Sequence, residues 1–226
     1  MIAVTLLPSA GSIADRPAEL IALVGVLALA PAALVMLTSF LKIVVVLSIA
    51  RSALGAPQVP PSTAVTGLAL VLTLLVMAPV GERAVALARE APGEGGVAAA
   101  AARLGRAAEP VREFLARFAR ADDRAVFLDV AQRLRPAGAD PAGERDLAVL
   151  APAFVVSELR RAFTIGFVVF VPFLAVDLVV ANVLLALGLT QLSPTSVALP
   201  FKLLLFVAVD GWRLLARSLA LSYAGV

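Results

Sequence analysis

From Leu20 to Ala50 the chain is apolar apart from a few small polar residues and one charge, Lys42, in the stretch TSFLKIVVVLS (Thr38–Ser48). As a single helix this run would be about 46 Å long, longer than a hydrocarbon core of about 30 Å. It must therefore tilt, break or extend beyond lipid. Pro31, in LALAPAALV, is the expected irregularity, because an interior proline removes a backbone donor and crowds the preceding turn. The lysine constrains the chain more sharply. A charge at the centre of a helix in lipid costs about 2.5–3.5 kcal/mol on insertion scales, so Lys42 calls for a partner.

The same pattern recurs along the chain. A second apolar block runs from about Ala64 to Val80. A third runs from Leu147 to Leu189, interrupted by SELRR (Ser157–Arg161) and Asp177, and a fourth from Val197 to Tyr223, interrupted by Lys202, Asp210 and Arg213. The whole sequence is 61% hydrophobic and 15% charged, against about 45–50% and about 25% for an ordinary soluble domain. Lipid or other chains must cover the excess. The linker RSALGAPQVPPST (Arg51–Thr63) reads as a hairpin connection. TQLSPTS supplies Ser193 as N-cap and Pro194 as first helical residue, which makes a second hairpin. The sequence predicts an all-α protein in four parts. They are an N-terminal segment (1–19), a first hydrophobic hairpin (20–80), a polar helical insert (81–146) and a second hydrophobic hairpin (147–226).

The insert holds 11 Arg and 11 Asp or Glu, most of the chain's charge, and reads as a part in water. Its first portion, REAPGEGGVAAAAARLG, reads as a flexible linker. Beyond it, Val111, Leu115 and Phe118, then Val126, Val130 and Leu134, fall at helical spacing and predict one or two amphipathic helices, with Pro110 in a first turn. Orientation stays open, since Arg51 opposes Arg213 and Arg217 under a four-span arrangement. Ile2–Leu7 is short for a signal peptide and lacks a basic flank, so the first long helix is expected to serve as an uncleaved targeting signal.

The chain has no cysteine and no histidine, which excludes a disulfide, a thiolate nucleophile, a Ser-His-Asp triad and a Cys/His zinc site. No phosphate-binding loop pattern is present. The formal charge of +3 comes without a basic cluster larger than Arg160-Arg161, so no nucleic-acid partner is expected. No cofactor or metal is expected either.

Lys42, Asp177, Lys202 and Asp210 are the candidate site residues. One reading lets the lysines snorkel and pairs Asp210 with Arg213 on one helical face. The other pairs the charges between helices or between subunits. Asp177 and Asp210 could form an intramembrane aspartyl protease dyad, but AVDGW lacks the Gly-x-Gly-Asp pattern, and ALP (Ala198–Pro200) precedes the second aspartate instead of following it. An ion or proton carrier using the two aspartates as a relay is the stronger alternative.

Six stretches, in order, resemble the FliP/SctR family of type III secretion export-gate proteins. They are LAPAALVMLTSFLKIVVVLSIARSALG, QVPPS, GLALVLTLLVMAPV, EPVREFLARFAR, PAFVVSELRRAFTIGF and LPFKLLLFVAVDGW. FLKIVVVLS and QVPP look closer to the injectisome branch than to the flagellar one. The resemblance implies a non-enzymatic subunit of the bacterial inner membrane. Several copies would assemble with FliQ/SctS-type and FliR/SctT-type subunits, and with other export-apparatus membrane proteins, into a ring that passes unfolded secreted proteins. It also implies that the complex projects largely to the periplasmic side, with the insert 81–146 periplasmic, and that the four charges are assembly residues. Family members commonly seal the channel with a methionine run after ALG. Here Leu189, Thr190 and Gln191 stand at those positions, with Leu192 next, as candidates for the constriction.

Overall fold

The structure, a computed structural model, describes residues 24, 25, 28, 31–56, 59–90, 97–136, 138 and 140–224. The expectations for residues 1–19, for the start of the first block and for residues 91–96 of the linker lie outside them. Among the described residues the chain is helical, with no strand. A helical stretch over 31–36 precedes α1 (Phe40–Ala53) and α2 (Ser62–Glu90). The insert forms α3 (Val97–Phe118) and α4 (Ala121–Leu134). Then come α5 (Leu147–Ala186), α6 (Pro194–Ala208) and α7 (Gly211–Leu221).

α1 is the central element. It packs against α2 and α5, and Ile43, Val46, Leu47 and Ala50, at the i, i+3, i+4, i+7 spacing of one helical stripe, are fully buried. α5 crosses α1 at Gly166. A Cβ there would collide with Ile49 Cδ1 and lie 3.0 Å from Ile49 Cγ2, so any larger residue requires Ile49 or the crossing itself to shift. A second cluster, built on Phe114, Leu115, Leu150, Phe154 and Tyr223, seats α3 against α5.

Several local expectations are corrected. The first block is broken at 37–39, between the helical stretch and α1; Pro31 itself is helical, and the two residues before it lie outside the described ones. α2 extends past the second apolar block, which ends at about Val80. It runs through Pro79 and Gly81 to Glu90, because the apolar block is followed directly by the helix-favouring run GERAVALARE. The expected linker is helical from Val97 onward, and Pro110 sits inside α3 rather than in a first turn. Val126, Val130 and Leu134 form the predicted stripe on α4 but point outward, at 58%, 40% and 79% exposure. α4 is instead turned by a polar tie from Asp123, described below. The hairpin reading of TQLSPTS holds: α6 starts at Pro194 with Ser193 as N-cap, although the Ser193 side chain makes no capping hydrogen bond.

α2 and α5 are long and apolar enough to cross a membrane. At 40 residues, α5 is about 60 Å long, twice a hydrocarbon core. Phe163, Phe167, Val168 and Leu178 are among the large apolar side chains it leaves uncovered.

Candidate functional site

SELRR, which interrupts the third apolar block, becomes the polar centre of α5. Glu158 is fully buried, and three groups converge on its carboxylate. Lys42 Nζ, from α1, lies 3.3 Å from Oε2 with both side chains at or below 2% exposure. Arg161 Nη1, one turn on, lies 2.6 Å from Oε1. The Tyr223 hydroxyl, just beyond α7, donates to Oε2. Lys42 Nζ also stands 3.6 Å above the centroid of the Tyr223 ring, a geometry in which the aromatic face attracts the ammonium. Lys42 is therefore neither snorkelling nor lipid-facing. An ionised pair persists in a low-dielectric interior only when it is also hydrogen-bonded, and here both carboxylate oxygens of Glu158 have partners.

The same segment holds the polar insert. The Ser157 hydroxyl accepts the Arg120 backbone N–H at 2.9 Å and donates to Asp123 Oδ2 at 2.6 Å. Arg160 reaches the other Asp123 oxygen at 3.1 Å, and Arg161 donates to the Phe118 carbonyl at 2.7 Å. Asp123 lies in the first turn of α4, where the positive end of the helix dipole favours a carboxylate. The α3–α4 elbow is thus clamped to α5 by Ser157, Arg160 and Arg161.

A second interhelical tie lies along α5 toward its C-terminus. Lys202 of α6 is 3% exposed, makes a 2.6 Å contact with Asp177 Oδ2 on α5 and donates to the Ala53 carbonyl at the end of α1, at 3.2 Å. One ammonium therefore joins three helices and fills a carbonyl that the last turn of α1 leaves without an intrahelical donor.

Asp210 is different. It pairs with Arg213, three residues on, at 2.8 Å, and the two side chains are 54% and 81% exposed. Asp177 and Asp210 each hold a cation of their own and are not brought together as a dyad. Leu189, Thr190, Gln191 and Leu192 form the exposed turn between α5 and α6. That turn is set by Gly188 at φ 72°, with the Leu189 N–H donating to the Leu184 carbonyl at 2.9 Å and the Gly188 N–H to that of Leu185 at 3.0 Å, the paired bonds of a Schellman motif.

Sequence reasoning missed Glu158, Arg161, Tyr223, Ser157 and Asp123 as site residues. Glu158 carried the same signal as Lys42, a charge inside an apolar block. Tyr223, the chain's one tyrosine, carried none. Among the described residues no group of three or more acidic side chains could hold a metal ion.

A model of the FliP family matches residues 23–219. The chain is 45% identical to the hypersensitivity response secretion protein HrcR of Ralstonia nicotianae, over 91% of this chain and 97% of that one. It is 46% identical to the flagellar biosynthetic protein FliP of Pectobacterium carotovorum, over 96% of this chain and 83% of that one. It is 43% identical to the Yop proteins translocation protein R of Yersinia pestis, over 92% and 96%.

Proposed function

The chain belongs to the FliP family, and from that premise we propose that it is a core subunit of a type III secretion export gate in the bacterial inner membrane. Several copies, with FliQ/SctS-type and FliR/SctT-type subunits, form the conduit for unfolded substrate proteins. Its work is mechanical, not catalytic. The relatives named for hypersensitivity response secretion, Yop translocation and flagellar biosynthesis support a protein-export role. FLKIVVVLS and QVPP favour the injectisome branch.

The observation that carries this reading is the mismatch between the apolar surface and a bilayer. α5 exposes large apolar side chains from Val156 to Leu185, a rise of about 44 Å against a core of about 30 Å. Lipid covers part of that length, and neighbouring subunits cover the rest. The buried charges fit the same role. Lys42, Glu158, Asp177 and Lys202 are engaged in ties that hold helices together, which favours a scaffold over a proton relay. The exposed tip, Leu189–Leu192, lines the constriction, with leucines in place of the family's methionines and Thr190 and Gln191 as its polar part.

The test is complementation. In a host whose own family member is deleted, this chain, expressed with its own two small partner subunits, restores export of a type III substrate. An assembled complex that passes no substrate would overturn the conduit reading.

A further inference from the structure

α4 carries two features on nearly opposite sides, and the chain covers neither. One is the apolar ridge of Val126, Val130 and Leu134, at 58%, 40% and 79% exposure. The other is a groove of about 350 Å³ between α4 and the segment that leads into α5. Ala121, Ala125 and Leu128 form its floor, and Arg124, Gln132 and Glu144 stand around it. At about 100° per residue, ridge and floor fall on opposite faces of the helix. α5 takes a third side, where Phe127 packs into the cluster around Phe114 and Phe154, and leaves both features open.

A ridge and a groove on opposite faces of one helix cannot meet within a single copy. Two copies side by side bring them together, and the contact is then head-to-tail, with each ridge offered to one neighbour and each groove to the other. The shapes suit this, because two alanines leave room on the floor for the branched side chains of a facing ridge. The charges suit it too. Arg124 and Glu144 make no ion pair among the described residues, and Arg124 Nε is shielded from solvent without a hydrogen-bond partner. Asp129 and Arg133, a 2.9 Å pair at 58% and 76% exposure, flank the ridge. Each unpaired sign at the groove thus has its opposite beside the ridge. A two-fold contact of ridge on ridge would leave the groove, Arg124 and Glu144 without a role.

We propose that α4 is a ridge-and-groove connector between copies of this chain, with Val126, Val130 and Leu134 of one copy seated over Ala121, Ala125 and Leu128 of the next. Three side chains bury less than the about 800 Å² per partner of a standard interface. The connector therefore sets the direction in which neighbours follow one another, while the uncovered apolar faces of α2 and α5 supply the larger contact area. That the series closes into a ring around a conduit rests on the export-gate reading above; the direction of the contact does not.

The chain has no cysteine, so Val130→Cys on the ridge and Ala125→Cys in the groove, both exposed in the single chain, are linked by a short bis-maleimide without background. The full chain, co-expressed with the proposed partner subunits, is extracted in mild detergent and cross-linked. Neither single variant gives a dimer, because each ridge meets a groove. The double variant gives a ladder of dimers, trimers and larger species, and the two single variants expressed together give dimers and nothing larger. A dimer from Val130→Cys alone would mean ridge on ridge and would overturn the proposal. So would a double variant that stays unlinked inside an assembly whose native mass shows several copies. A monomeric native mass contradicts the export-gate reading and the connector together, whereas a ladder from a complex that passes no substrate counts against the conduit and leaves the connector standing.

Discussion

Glu158 balances two cations, the buried Lys42 and the partly exposed Arg161. Glu158→Gln leaves both without their counter-charge and is expected to cost about 3–5 kcal/mol. Denaturant unfolding in detergent measures it, and a loss below about 1 kcal/mol, the range of exposed pairs, would mean that the cluster is not dry. Arg213→Ala, which removes an exposed partner from Asp210, is expected to cost less than about 1 kcal/mol by the same measurement. The sequence made Lys42 legible as a charge in need of a partner, because nothing near it along the helix could serve. Its partner was not legible, because Glu158 carries the same signal in a distant block and nothing along the chain links the two. Asp210 was legible as a charge, but its left-handed backbone, at φ 51°, was not, since Val197–Tyr223 reads as one apolar block.

The α1–α5 crossing depends on one missing Cβ. Gly166→Ala forces the two helices apart against Ile49 and is expected to cost about 1–3 kcal/mol, as overpacking does. Ile49→Ala in the same chain should recover part of that loss, and thermal unfolding of the single and double variants checks it. Two purely additive losses would place the tightness elsewhere. The polar insert is held by the Ser157–Asp123–Arg160 tie, so Asp123→Ala should speed limited proteolysis between α3 and α4 while α1 and α5 stay resistant. Helices in the insert were legible from the spacing of Val111, Leu115 and Phe118. The facing of α4 was not, because a buried carboxylate in its first turn outweighs its apolar stripe, and period alone does not reveal a polar anchor on another helix.

At the scale of the whole molecule, buried charge acts as a set of ties between helices, and long apolar faces are left uncovered. Lys202→Ala removes the tie between α1, α5 and α6 and is expected to lower the yield of the complex without altering which substrates it passes. The measurement that tests the account most directly is the native mass of the full chain in mild detergent, alone and co-expressed with the proposed FliQ/SctS-type and FliR/SctT-type partners. The account predicts a defined assembly of several copies that grows when the partners are present. A monomer or dimer under both conditions would contradict it.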